Sequence, residues 1–195
     1  EAMKYQVYAP TAWEYYKTAM IYVARNISGS RWAHTKRRQV GPSVAFVVTA
    51  GGSIGNNTED MEEARQHLSS GSSRIFFSPS QDPHVDLAVL RGCDGLVIGP
   101  STLGWWAAFL SRLSAGRVVA PMHIVNPELP RWHPLKKGFV RRDHYPPHWK
   151  ILNNDGVGGV KNLNWEEEEQ YLAKKRVEQL QMSGLRLNAG EHVFA

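Results

Sequence analysis

The chain has 195 residues, a net charge of +5, 42% hydrophobic residues and seven tryptophans, enough for one ordinary domain with a real core and a short extension. Cys93 is the sole cysteine, which excludes an intrachain disulfide and a cysteine-based metal site. No apolar run approaches the ~20 residues of a membrane-spanning helix, and no signal-peptide pattern opens the chain.

The basic residues are spread out. Arg31, Lys36, Arg37 and Arg38 form the densest patch, followed by Lys136, Lys137, Arg141 and Arg142. Such surfaces suit nucleic acid, anionic lipid or a diphosphate equally, so charge selects no partner, and a solvated face is the plainest reading of each patch. Two Asn-x-Ser/Thr triplets, at Asn26 and Asn56, give weak support for a secretory-pathway lumen. With Glu1 first and no initiator Met, the chain is expected to be a piece of something longer.

In chain order, Pro10 to Arg25 predicts a helix with Thr11 and Glu14 at capping-box spacing and an apolar stripe of Trp13, Tyr16, Met20 and Val23. Val44 to Thr49 is a continuous β-rich apolar run, the pattern of a strand buried on both faces. Thr58 and the acidic residues after it open a helix ending near Leu68. Arg74 to Ser78 is a second strand, and Asp82-Pro83 an N-cap with proline in the first helical position of a helix to Arg91. Gly95 to Ile98 is a third strand, Leu103 to Leu113 a helix, and Arg117 to Ala120 a fourth strand. This alternation predicts βαβ units, and so an α/β fold with a Rossmann-like parallel sheet flanked by helices.

Beyond Pro121 the period is lost. Residues 121–150 read as an ordered, proline-rich loop anchored by Trp132, Phe139, Tyr145 and Trp149, and Asn153 to Gly159 as a turn-rich break. A last helix is expected from Asn164, with Glu167 at capping-box spacing, to about Met182. The domain assignment is therefore 1–152 for the α/β domain and 153–195 for a helical extension.

Open parallel sheets bind ligands outside the carboxyl ends of their strands. Three strand-to-helix loops converge there: 49–57, 78–82 and 99–104. The third, Gly99-Pro100-Ser101-Thr102-Leu103-Gly104, sets two glycines and two hydroxyls at a helix N-terminus. Free N–H groups and the positive end of the helix dipole suit a phosphate there, although an ordinary capped loop has the same composition. Asp86 lies in the first turn of the helix after the second loop. Its carboxylate can accept two hydrogen bonds from guanine or simply offset the helix dipole.

The same segment carries a family likeness. Asp86, Cys93, Thr102, Gly104, Trp106, Ala107, Ala108 and Leu110 follow, without gaps, a pattern that resembles the signature of the α1,2-fucosyltransferases. The helix from Tyr15 to Arg25 with the Val44–Thr49 strand, and the Tyr145–Trp149 segment, extend the likeness over about residues 10–152. The resemblance implies a GT-B-like nucleotide-sugar domain, GDP-fucose as donor, a galactose-terminated glycan as acceptor, inversion at the anomeric carbon and no metal or other cofactor. It further implies that Asp86 binds guanine, that Ser101 and Thr102 contact the diphosphate, and that Leu103 and Gly104 complete that turn. A Golgi lumen location follows by the same implication, with membrane contact only through a segment outside this chain.

Three departures stand out. Leu103 replaces the family's usual Phe, and Pro100 a β-branched residue. The family's His-x-Arg-Arg-x-Asp motif is expected just before residue 1; Val140-Arg141-Arg142-Asp143 lacks its spacer. Without that arginine the chain is expected to bind GDP and transfer fucose poorly.

Asp82, His84 and Asp143 are candidate bases for the acceptor hydroxyl, none favoured by the sequence. His133, His144 and His148 lie close in sequence, as metal ligands do, but read as surface or packing histidines. Trp105 and Trp106 point about 100° apart on a helix, so at least one belongs in the core. Two other functions remain: a non-catalytic nucleotide- or glycan-binding module on this fold, and a nucleic-acid binder using the basic patches, which the resemblance disfavours.

Overall fold

In the computed structural model, residues 7–32, 44–49, 57–69, 74–80, 82–126, 129 and 141–162 are described. The chain divides into two compact units, Glu1–Leu163 and Asn164–Ala195, and every described residue belongs to the first. The expected helix from Asn164, the basic residues Lys36, Arg37 and Arg38, and also Trp132, His133 and Phe139 lie outside the described residues. Residues 153–162, grouped above with the extension, fall in the first unit.

Helix α1 spans Trp13–Trp32, starting later and running further than expected. The Thr11–Glu14 capping box does not form. The Thr11 hydroxyl instead accepts from the Asn154 side chain, and Glu14 pairs with Lys17 one turn on. The buried face is also turned from the expected stripe: Tyr15, Ala19, Val23 and Ile27 form an i, i+4 row in the core. Trp13, Tyr16 and Met20, half-buried, line a cavity instead. The reason is Tyr15, whose ring is fully buried while its hydroxyl finds backbone carbonyls.

Strand β1 (Ala45–Val48) pairs in parallel with β2 (Arg74–Phe77), Ala45 opposite Arg74 and Val48 opposite Phe77. Strands β3 (Leu96–Val97), β4 (Val118–Pro121) and β5 (Lys150–Leu152) run parallel, and β6 (Lys161–Asn162) closes that sheet antiparallel to β5. The strand pairing thus gives two sheets, β1–β2 and β3–β4–β5–β6, where one parallel sheet was expected. All of β1 and β3 line the same cavity, so these two edges face a shared space without hydrogen-bonding across it. The other correction is β5 and β6, the first starting at the end of the expected loop and the second lying after the turn-rich break, where no strand was expected; strands of three and two residues are too short to show a period.

Helix α2 (Asn57–Leu68) buries Met61, Ala64 and Leu68 along one face. Helix α3 (Pro83–Arg91) starts as expected: Asp82 is its N-cap, accepting from the His84 N–H at 2.8 Å, and Pro83 follows. Helix α4 (Thr102–Leu110) stops three residues early, where Ser111 caps it and Arg112 takes a positive φ of 53°. Its buried Ala107 and Ala108 allow close packing, and α3 lies along it. The four β4 residues are all buried. Tyr145 and Trp149, the expected anchors, are buried beside the short helix α5 (Arg141–His144), with the Tyr145 hydroxyl donating to the Pro121 carbonyl at 2.7 Å.

Candidate functional site

The chain leaves β1 through α2 to reach β2 on one edge of β1, then returns through α3 to β3, which faces β1 across the cavity. A switch in strand order of this kind places a ligand crevice at the carboxyl ends of the strands. The cavity measures about 660 Å³. Thr49, Gly99, Pro100, Ser101, Leu103 and Gly104 line its carboxyl end.

Of the residues singled out in the sequence, Ser101, Leu103 and Gly104 are brought to this cavity, while Thr102 is exposed and outside the lining. Ser101 is the N-cap of α4, in extended conformation, and its side chain makes no capping hydrogen bond. The first-turn N–H groups are thus left without a side-chain cap at the positive end of the helix dipole, where an anion is favoured.

Asp86 is not part of the cavity lining. It is the one buried charged residue among those described, 3% exposed. Its Oδ1 accepts from the Ser78 hydroxyl at 3.0 Å, and Ser78 N–H donates to the Val48 carbonyl at 2.9 Å. The carboxylate therefore sits at the carboxyl ends of β1 and β2. An ionised carboxylate offers about four lone-pair sites; among the described residues, Ser78 fills one.

Beneath the 99–104 turn lie two tyrosines that sequence reasoning did not assign to the site. The Tyr15 hydroxyl donates to the Ile98 carbonyl at 2.7 Å and lies 3.2 Å from that of Val119. Tyr16 lines the cavity with its hydroxyl against Gly99. Burial raises both phenol pKa values, that of Tyr15 well above the usual range. The sequence offers no signal for either contact, because both join residues far apart along the chain.

Among the candidate bases, the Asp82 carboxylate is engaged as the α3 cap, His84 is exposed in the first turn of α3, and Asp143 is exposed on α5. His144 and His148 are exposed, and among the described residues no group of three metal-binding side chains occurs. Trp105 is held by Phe109, stacked at 5.0 Å, and donates its indole N–H to the His144 carbonyl; Trp106 is 51% exposed. Asn26 sits inside α1 with its side chain donating to the Tyr22 carbonyl, so that triplet is packed as helix.

Fold and crevice together define a mixed α/β protein with an anion-ready helix start at a switch in strand order. The chain belongs to glycosyl transferase family 11, whose sequence model matches residues 16–151, a span holding the cavity's strands and the 99–104 turn. It is a glycosyltransferase of a family that contains fucosyltransferases, which points to a nucleotide-sugar donor and a glycan acceptor. No curated protein and no solved structure matches the chain.

Proposed function

We propose that this chain carries the GDP-fucose-binding region of an α1,2-fucosyltransferase of GT-B-like architecture. The acceptor is the 2-hydroxyl of a terminal galactose. The observation that carries the reading is the uncapped start of α4 at the mouth of the cavity, within a chain of this family. The diphosphate sits on the Ser101–Gly104 turn. Guanine lies toward the carboxyl end of β2, where the lone pairs of Asp86 that no described residue fills accept from its N1–H and exocyclic amine, a pairing adenine does not offer.

In the reaction the galactose oxygen attacks the anomeric carbon from the face opposite GDP. The bond from that carbon to the β-phosphate oxygen breaks, and the hydroxyl proton passes to a base. Negative charge gathers on the leaving diphosphate, where N–H groups and the helix dipole are already aimed. These groups supply part of that charge stabilisation, the larger share falling to the arginine that the family likeness implies, and no metal is included in the proposal.

Calorimetry on the full chain with GDP and ADP, paired with a transfer assay using GDP-fucose and a galactose-terminated oligosaccharide, tests it. A clear preference for GDP over ADP is expected. Equal affinity for the two, or no binding of either, would overturn the assignment.

A further inference from the structure

We infer that the Tyr16 hydroxyl is a donor-binding group, giving a hydrogen bond to a phosphate oxygen of a nucleoside diphosphate held at the Ser101–Gly104 turn. This rests on the proposed function and names a residue for it outside the Asp86–Leu110 segment.

Three observations converge on Tyr16. Its ring lines the cavity and is fixed by neighbours, edge-on to Tyr15 at 5.0 Å and tilted against Trp13 at 5.6 Å. Its hydroxyl lies against the first residue of the phosphate turn: a Cβ built on Gly99 would stand 2.7 Å from that oxygen. The glycine is what admits the hydroxyl at the point where the chain leaves β3. And the hydroxyl makes no hydrogen bond among the described residues, although the preceding residue, Tyr15, has carbonyl partners for its own.

A half-buried phenol with no partner among the described residues is unfavourable. A phenylalanine would fill the same space and make the same ring contacts. A polar atom held at such a cost beside an anion-ready helix start is explained by a ligand that pairs with it. Because burial raises its pKa, the group stays protonated, and so a donor, throughout the neutral range.

The test compares the full chain with Tyr16→Phe and Gly99→Ala, using calorimetry with GDP and with inorganic pyrophosphate and thermal unfolding without ligand. Tyr16→Phe is expected to weaken both ligands by roughly ten-fold, the share of one hydrogen bond to a charged oxygen. Its ligand-free unfolding midpoint should be unchanged or higher, since a hydroxyl with no partner among the described residues is removed. Gly99→Ala, which displaces the hydroxyl, should weaken both ligands similarly, and it carries the test if Tyr16→Phe does not fold. GDP and pyrophosphate binding at wild-type strength in these variants overturns the inference and leaves the proposed function standing. A loss for GDP alone overturns the phosphate contact. A lowered ligand-free midpoint for Tyr16→Phe shows a packing role and overturns it too. Absence of GDP binding by the unaltered chain overturns this inference together with the function on which it rests.

Discussion

The Tyr15 hydroxyl on α1 lies 2.7 Å from the Ile98 carbonyl at the end of β3, and 3.2 Å from the Val119 carbonyl of β4. One proton is thus shared between two neighbouring strands, directly before the 99–104 turn. The ring is completely buried, so no water replaces the bond. Tyr15→Phe is expected to cost about 1–3 kcal/mol. In a chain of this size, each kcal/mol moves the unfolding midpoint by about 2–4 °C. Calorimetric unfolding of the variant measures it; a midpoint unchanged from the parent chain would show that the bond carries no weight.

The same burial makes stability depend on pH at the alkaline end. Desolvation raises the Tyr15 and Tyr16 pKa values, whereas tyrosines of an unfolded chain ionise near about pH 10. Below about pH 10 both states hold the phenol proton and the stabilisation is complete. Above it the unfolded chain releases protons that the folded chain keeps, so stability falls as pH rises. The slope reaches up to about 1.4 kcal/mol per pH unit for a fully protected group. Urea titrations from about pH 8 to about pH 11 should show the decline, and Tyr15→Phe should flatten it.

Gly156 closes the turn after β5 with a φ of +79° and lies flat on the first turn of α1, where a Cβ would come within 2.6 Å of the Glu14 carbonyl carbon. Those are backbone atoms and do not swing aside. The same turn supplies the Asn154 carbonyl that accepts from the Ala12 N–H at 2.8 Å. Gly156→Ala is expected to cost at least about 1–3 kcal/mol from its backbone conformation alone, with the clash added. A denaturant midpoint equal to the parent's would contradict this packing.

How much of this was legible in the sequence depends on how local the cause is. The start of α3 was readable because Asp82 and Pro83 cap their own helix, and the 99–104 turn because its glycines and hydroxyls are adjacent. The rotation of α1 was not. Whether Tyr15 or Tyr16 faces the core depends on carbonyls at Ile98 and Val119, far along the chain. Nor was the open space between β1 and β3, since two apolar runs announce strands without saying which edges pair. Asp86 was visible as an acid in a first turn; its burial under Ser78 was not.

Two tryptophans, Trp149 and Trp106, should part company under truncation. Trp149 is 1% exposed and packs near Tyr145 and Trp105, with ring centroids 5.9 and 6.1 Å away; Trp149→Ala should cost about 3–5 kcal/mol. Trp106 is half exposed and keeps edge contacts with Trp105 and Phe109, so Trp106→Ala should cost no more than about 1 kcal/mol. Parallel thermal melts compare them, and a reversed order would mean that the tryptophan assignments are exchanged.

Asp86→Asn separates support from recognition at the buried carboxylate. Asparagine has nearly the same shape, and its carbonyl still accepts from the Ser78 hydroxyl now 3.0 Å away, so the thermal midpoint should move by only a few degrees. What changes is the side of the group that the proposed function turns toward guanine: an N–H₂ donor replaces an acceptor and would meet the donors of the base. Hydrogen bonds to a charged group contribute about 1.5–3 kcal/mol, which converts to a loss of GDP affinity of at least roughly ten-fold. Pyrophosphate, which has no base, should bind as before. Full GDP affinity in Asp86→Asn would leave the carboxylate as a prop for Ser78 and remove guanine from its neighbourhood. An equal loss for pyrophosphate would instead trace the effect to a shift in the loops at the carboxyl ends of the strands.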